Sequence, residues 1–235
     1  MKKNFLPYKK IIEAITIDSK QLATGETLIT VIAKGIGKKS LIVRGSQKIT
    51  SKQIGKVDIL SRFHGVIVER KSGLDYLIES EQIANYFDFF SQNDEIQSAI
   101  FKLLSVIKFS SKENLNDFSY EDLQNTLFDS TTNEKYKISI LWLLINIIET
   151  SGFFSFQIFE NILRKNPKFI YFDDEINHFL ISNSETSKIL VKEKVLKLVL
   201  ALKKFTLESS KKILVEKEFI DSAFFIVCKI ASKIF

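Results

Sequence analysis

Gly35-Ile36-Gly37-Lys38-Lys39-Ser40 is the first stretch whose residue types suit phosphate chemistry. A nucleotide-binding loop needs a glycine five positions before the Gly of its Gly-Lys-Ser, and Ile32 stands there. Lys39 also intervenes between Gly37-Lys38 and Ser40. The stretch therefore reads as a strand–turn–strand element with its lysines held outside. His64 and His178 are the two histidines, and Cys228 is the single cysteine. Cys228 lies in an apolar C-terminal segment and reads as a core filler rather than a nucleophile. Asp173-Asp174-Glu175 places three carboxylates in one turn, but ligands for a divalent cation converge from spaced positions. That triplet reads as solvated. One cysteine excludes an internal disulfide framework and an all-cysteine zinc site. No catalytic constellation emerges, so the chain reads as a non-enzyme with no metal site and no cofactor.

Cations interleaved with aromatics carry more information. Lys38, Lys39, Arg44, Lys48, Lys52, Lys56, Arg62, Arg70 and Lys71 recur through the first third, with Phe63 and Tyr76 nearby. A basic groove neutralises phosphates while aromatic faces stack bases, and neither operation reads sequence. Phe63 itself reads as core rather than as a stacking platform. Charge is segregated along the chain. Residues 1–73 carry 15 Lys+Arg against 5 Asp+Glu, residues 74–183 carry 8 against 17, and residues 184–235 carry 11 against 6. A basic first third points to a polyanion such as nucleic acid. The alternative is a solvated lysine-rich surface with no partner.

The elements that must position these residues follow from glycine and from periodicity. The 235-residue chain, 45% apolar and 26% charged, has the composition of a globular protein. Its longest apolar runs, such as Ile138 to Ile148, fall short of the roughly 20 residues that span a bilayer. Nothing after Met1-Lys2-Lys3 resembles a signal peptide, so a cytoplasmic protein is expected. Seven of the eight glycines lie in the first 73 residues. Between them run Ile11 to Ile17, Thr27 to Ala33, Leu41 to Val43, Val57 to Leu60, Val66 to Val68 and Leu74 to Ile78. This spacing predicts a small all-β barrel over residues 1–82, of OB type or of the competing SH3-like type. From about Ser80 the period becomes helical. A helix capped by Asp94 carries Ile96, Ile100, Leu103, Leu104 and Ile107, and a shorter one starts near Ser119. Ile138 to Ile148 predicts a central buried helix ended by Gly152. A helix capped by Ser155 stops before Pro167. A hairpin near residues 168–181, a helix from about Ser187 to Phe205 and another from Glu208 to the end complete residues 83–235. The fold class predicted is α+β, a small β-barrel packed on a mainly helical domain.

An ordered set of short matches runs over about the first 85 residues. Glu13-Ala14-Ile15 is followed by Gly25-Glu26-Thr27-Leu28-Ile29-Thr30, then Gly37-Lys38, then Val43-Arg44-Gly45 with Lys48 and Ser51-Lys52. Leu74, Leu77 and Glu81-Gln82-Ile83 close the set. In this order and spacing the chain resembles the bacterial DNA repair and recombination mediators of the RecO family. A long apolar helix ending at Gly152-Phe153 and two C-terminal helices agree. Many members carry four zinc-binding cysteines around the hairpin, and this chain has none there. The resemblance implies an OB domain on a helical domain. It implies binding of single- and double-stranded DNA, of RecR, and of the acidic C-terminal tail of the single-stranded DNA-binding protein. It further implies strand annealing, help in loading RecA onto coated DNA, and a nucleoid-associated place in the cytoplasm.

Two functions fit these features. In the first, the basic barrel tracks the DNA backbone and the helical domain docks partners. In the second, the protein is a helical interaction scaffold whose β domain has no DNA role. An acidic tail needs an apolar slot and a cation. Lys135 and Lys137, before the apolar helix, and Arg164 and Lys165, beside Phe159 and Ile162, are the candidate cations.

Overall fold

The computed structural model describes residues 8–44, 56–110, 120–132, 136–173, 175, 178–182 and 186–235. The chain divides into two units, residues 1–97 with 119–124, and residues 98–118 with 125–235.

The first unit holds five strands: β1 (Lys9–Gln21), β2 (Thr27–Ala33), β3 (Gly37–Val43), β4 (Ser61–Val68) and β5 (Asp75–Asn85). They close into a ring in the order β1-β2-β3-β5-β4. β1 serves two neighbours. Lys9 to Ile15 pair with β4, and Ala14 to Gln21 pair with β2. A bulge between Thr16 and Asp18 bends the strand where it changes partner. Pairing is antiparallel throughout except at the closure, where Leu41, Ile42 and Val43 of β3 run parallel to Asp75, Tyr76 and Leu77 of β5. β-branched and apolar residues on alternate positions fill the interior, among them Ile12, Ile29, Val31, Leu41, Phe63 and Leu77. Gly65 is required there. A Cβ at that position would lie 2.7 Å from Leu77 Cδ1, 3.0 Å from Phe63 Cε2 and 3.3 Å from the Glu79 carbonyl.

Two strand expectations are corrected. Val57 to Leu60 forms turns, not a strand: Leu60 adopts φ 67°, and the Ser61 N–H returns to the Asp58 carbonyl at 2.9 Å. Val57 and Leu60 are nonetheless buried, which accounts for the apolar run. The strand expected at Val66 to Val68 begins earlier, at Ser61. β5 continues past residue 82 to Asn85. A short helix α1 (Phe87–Phe90) follows.

The remaining chain is mostly helical: α2 (Asp94–Phe109), α3 (Tyr120–Thr132), α4 (Tyr136–Ser151), α5 (Gln157–Arg164), α6 (Glu193–Lys204), α7 (Leu207–Ser210) and α8 (Lys217–Ile234). The cap of α2 is Asn93 rather than Asp94, because Asn93 Oδ1 accepts the N–H groups of Glu95 and Ile96, each at 3.1 Å. α4 is buried almost all round and ends at Gly152, whose φ of 73° suits glycine. Its Glu149 carboxylate accepts the Phe156 N–H at 2.9 Å and pairs with Lys203 at 2.7 Å, so it joins the start of α5 to α6. The expected hairpin is β6 (Phe169–Asp173) with β7 (His178–Ser182). The expected helix from Ser187 starts only at Glu193, since β8 (Ile189–Leu190) pairs with β6 instead. The last expected helix is split into α7 and α8. Among the described residues, no helix is long and apolar enough to cross a membrane.

Candidate nucleic-acid interface

Strand alternation sorts the cations of the first unit. On β3, Leu41 and Val43 point into the core, so Lys39 shares their side, while Lys38 and Arg44 share the outer face. Lys39 sits at the end of the barrel and is held by Asp75 at 2.6 Å and Glu69 at 3.8 Å. Burial would raise the Asp75 carboxyl, but the Lys39 contact, the Arg70 N–H and both positive charges hold it below the usual carboxylate range.

Arg44 has the opposite situation. Its side chain is 68% exposed, directly after the last residue of β3. The guanidinium carbon lies 4.1 Å from the centre of the Tyr76 ring. Tyr76 is placed there by the parallel closure, which sets it opposite Ile42. Arg70 reaches the same tyrosine from the β4–β5 connection, with its guanidinium carbon 5.2 Å from the ring centre and Nη1 3.4 Å from the hydroxyl. One half-buried aromatic on the outer face thus gathers two guanidinium groups. No carboxylate pairs with the Arg70 side chain among the described residues, whereas Glu26 pairs with Arg44 at 3.1 Å. Cation–π contact orients a guanidinium while leaving its N–H edge able to meet a phosphate.

Arg62 is not part of this surface. Its guanidinium donates to Glu13 and to Tyr120, and its side chain is 24% exposed. Tyr120, the first residue of α3, also donates to Glu13 at 2.9 Å. This triad is structural: it satisfies a half-buried carboxylate, guanidinium and phenol together. Desolvation would raise the Glu13 carboxyl, yet hydrogen bonds from Arg62 and Tyr120 and the charges of Arg62 and Lys34 hold it below its ordinary value of 4.5. Burial and the Glu13 contact push the Tyr120 phenol well upward.

Lys38 and Lys71 have partners of their own, and Lys56 is partly exposed beside the Val57 turn. Lys48, Lys52 and Lys135 lie outside the described residues. Phe63 is fully buried, so the aromatic beside the cations is Tyr76, itself half-buried. Gly35 and Gly37, at φ 66° and 82°, make the turn joining β2 to β3; no helix follows, as a phosphate loop would need. Asp173 pairs with Lys188 at 3.0 Å, and Asp174 lies outside the described residues.

The second unit rearranges the partner candidates. Lys137 is only 13% exposed and pairs with Asp221 at 2.5 Å. Phe159 and Ile162 are buried, with Phe159 stacked edge-on to Phe179 at 4.8 Å, so neither offers a slot beside Arg164 and Lys165. Arg164 is 76% exposed and 3.9 Å from Glu160. An apolar groove of about 650 Å³ lies elsewhere, between α2 and α8 over Leu144. Phe101, Phe109 and Phe225, all exposed, line it together with Lys102 and Lys229. The period of α2 and α8 is legible in the sequence, but nothing in that pattern marks Phe101, Phe109 and Phe225 as exposed. Cys228 lines the groove, and burial pushes its thiol up to about 11, against the pull of Lys102. Such a thiol is protonated near neutrality and a poor nucleophile.

No protein-family model matches the chain, and no curated protein matches it.

The Glu13 triad has a pH signature. A depressed carboxyl contributes stability that is present above its unfolded value and disappears as pH falls through the folded one. Glu13→Gln is expected to lower stability in urea by about 2 kcal/mol at neutral pH, since charged hydrogen bonds are removed. The difference from the parent is expected to shrink as pH drops below 4.5. A constant difference from pH 7 to pH 3 would contradict this assignment.

Proposed function

We propose that the protein is a non-enzymatic DNA-binding mediator of recombination and repair. In this reading the barrel is an OB-type domain. The five-stranded Greek-key ring with a parallel closure supports it. The observation that carries the reading is the outer-face group of Arg44, Tyr76 and Arg70, where two guanidinium groups share one aromatic ring. Such a group attracts phosphate without reading bases, which is what annealing and coat-protein remodelling require. Two polyanions approach one another only when their charge is neutralised, and no bond need be made or broken. The resemblance to the RecO family points the same way, and from it follow RecR and RecA-loading roles and a cytoplasmic, nucleoid-associated setting.

The α2–α8 groove is the place proposed for the acidic tail of the single-stranded DNA-binding protein. It offers both requirements, an aromatic-lined slot with Lys102 and Lys229 among its lining residues, whereas Phe159 and Ile162 beside Arg164 and Lys165 are buried. The scaffold alternative makes the same use of the groove and differs in predicting no DNA binding.

Two measurements test these statements. In fluorescence anisotropy, the parent is expected to bind an oligonucleotide irrespective of sequence, with affinity falling steeply with salt. Combined Lys38→Glu, Arg44→Glu and Arg70→Glu changes are expected to weaken binding. They are also expected to flatten the slope of log affinity on log salt by roughly 0.7–0.9 for each phosphate no longer neutralised. Unchanged binding in a folded variant would remove this face from the site, and no binding by the parent would favour the scaffold. For the groove, Lys102→Glu with Lys229→Glu is expected to weaken a labelled acidic tail peptide about tenfold or more, while Arg164→Glu with Lys165→Glu leaves it unchanged. The reverse pattern would move the tail to the end of α5.

A further inference from the structure

We infer that Glu26 occupies Arg44 in place of a nucleic-acid phosphate and must release it when the strand binds. The inference rests on the nucleic-acid reading of the barrel face and adds a residue that sets its affinity.

Glu26 is fixed by a tight turn. The Leu22 N–H donates to the Glu26 carbonyl at 2.9 Å, and the Gly25 N–H returns to the Leu22 carbonyl at 3.0 Å, with Gly25 at φ 79°. Across the sheet, Thr27 is paired with Val43, so the residues beside them, Glu26 and Arg44, are held next to one another by the ladder. Glu26 Oε1 accepts Arg44 Nε at 3.1 Å, and the Thr24 hydroxyl donates to Oε2 at 3.3 Å. A carboxylate offers a guanidinium the same two-oxygen edge that a phosphodiester offers. The arginine is therefore already seated against Tyr76, oriented by a resident anion.

The resident anion is weakly held. Arg44 is 68% exposed and Glu26 24%, and a pair open to solvent on its arginine side contributes little. Unlike Glu13, which is locked to Arg62 and Tyr120, Glu26 has only Arg44 and the Thr24 hydroxyl as side-chain partners among the described residues. An incoming phosphate gains Arg44 together with Arg70, which no carboxylate occupies among the described residues. Glu26 lowers affinity by the strength of the pair it gives up.

The test is a binding cycle on the full chain with a labelled single-stranded oligothymidylate at near-physiological salt. Glu26→Gln keeps the shape and removes the charge. It is expected to bind about threefold to fivefold more tightly than the parent. In an Arg44→Gln background, the same change is expected to give no gain. Glu81→Gln, which neutralises an exposed carboxylate of β5 that no cation pairs with among the described residues, is expected to give less than half that gain, because salt screens distant charges. The inference is overturned if Glu26→Gln binds no better than the parent, if its gain survives without Arg44, or if Glu81→Gln gains as much. A parent that binds no oligonucleotide overturns instead the nucleic-acid reading on which the inference depends.

Discussion

Three parallel rungs, Leu41 with Asp75, Ile42 with Tyr76 and Val43 with Leu77, turn the five strands into a closed ring. The other junctions join strands by longer antiparallel ladders. This short one decides what the surface can do. It brings the end of β3 beside the start of β5, and so it sets Arg44 against Tyr76 and leaves Lys39 to pair with Asp75 at the end of the barrel. A slip of one residue would move Tyr76 to the interior and Leu77 to the surface, because side chains alternate. The buried packing of Leu41, Val43, Phe63 and Leu77 in the barrel core, with Phe63 and Leu77 close against Gly65, therefore fixes the register and, through it, the cationic group outside.

Cations in the first unit divide by how completely they are neutralised. Arg62 is consumed by Glu13 and Tyr120, and Lys39 by Asp75 and Glu69. Arg44, itself exposed, has a single half-buried carboxylate, and Arg70 has an aromatic neighbour. Net charge alone treats these four side chains as equal. A half-buried triad of three mutually bonded groups costs too much to open for a ligand, whereas a single pair whose arginine is exposed exchanges partners more readily. Among the described residues, the face available to a polyanion is thus narrower than the basic composition of the first third implies.

Glycine spacing and alternation made the barrel and most helices legible, because both report local backbone demands. Val57 to Leu60 misled for a physical reason: an apolar run signals burial, and a buried turn satisfies it as well as a strand does. Residues 187–192 misled for a similar reason, since pairing with β6 overrides helical preference at Ile189 and Leu190. The candidate site was legible only as a set of cations. Glu13 lies 49 positions from Arg62, and Glu26 lies 18 from Arg44, so neither partnership can be read from neighbours along the chain. The open groove between α2 and α8 was hidden likewise. A phenylalanine on a helical stripe looks the same in sequence whether a neighbour covers it or not.

Photocrosslinking to an oligonucleotide containing 5-iodouracil, followed by peptide mapping, tests the proposed placement of nucleic acid across the β3–β5 closure. Adducts are expected on the peptide that contains Tyr76 and are expected to disappear when excess unlabelled strand or high salt is added. Adducts confined to the helical unit, or an undiminished yield in high salt, would contradict it.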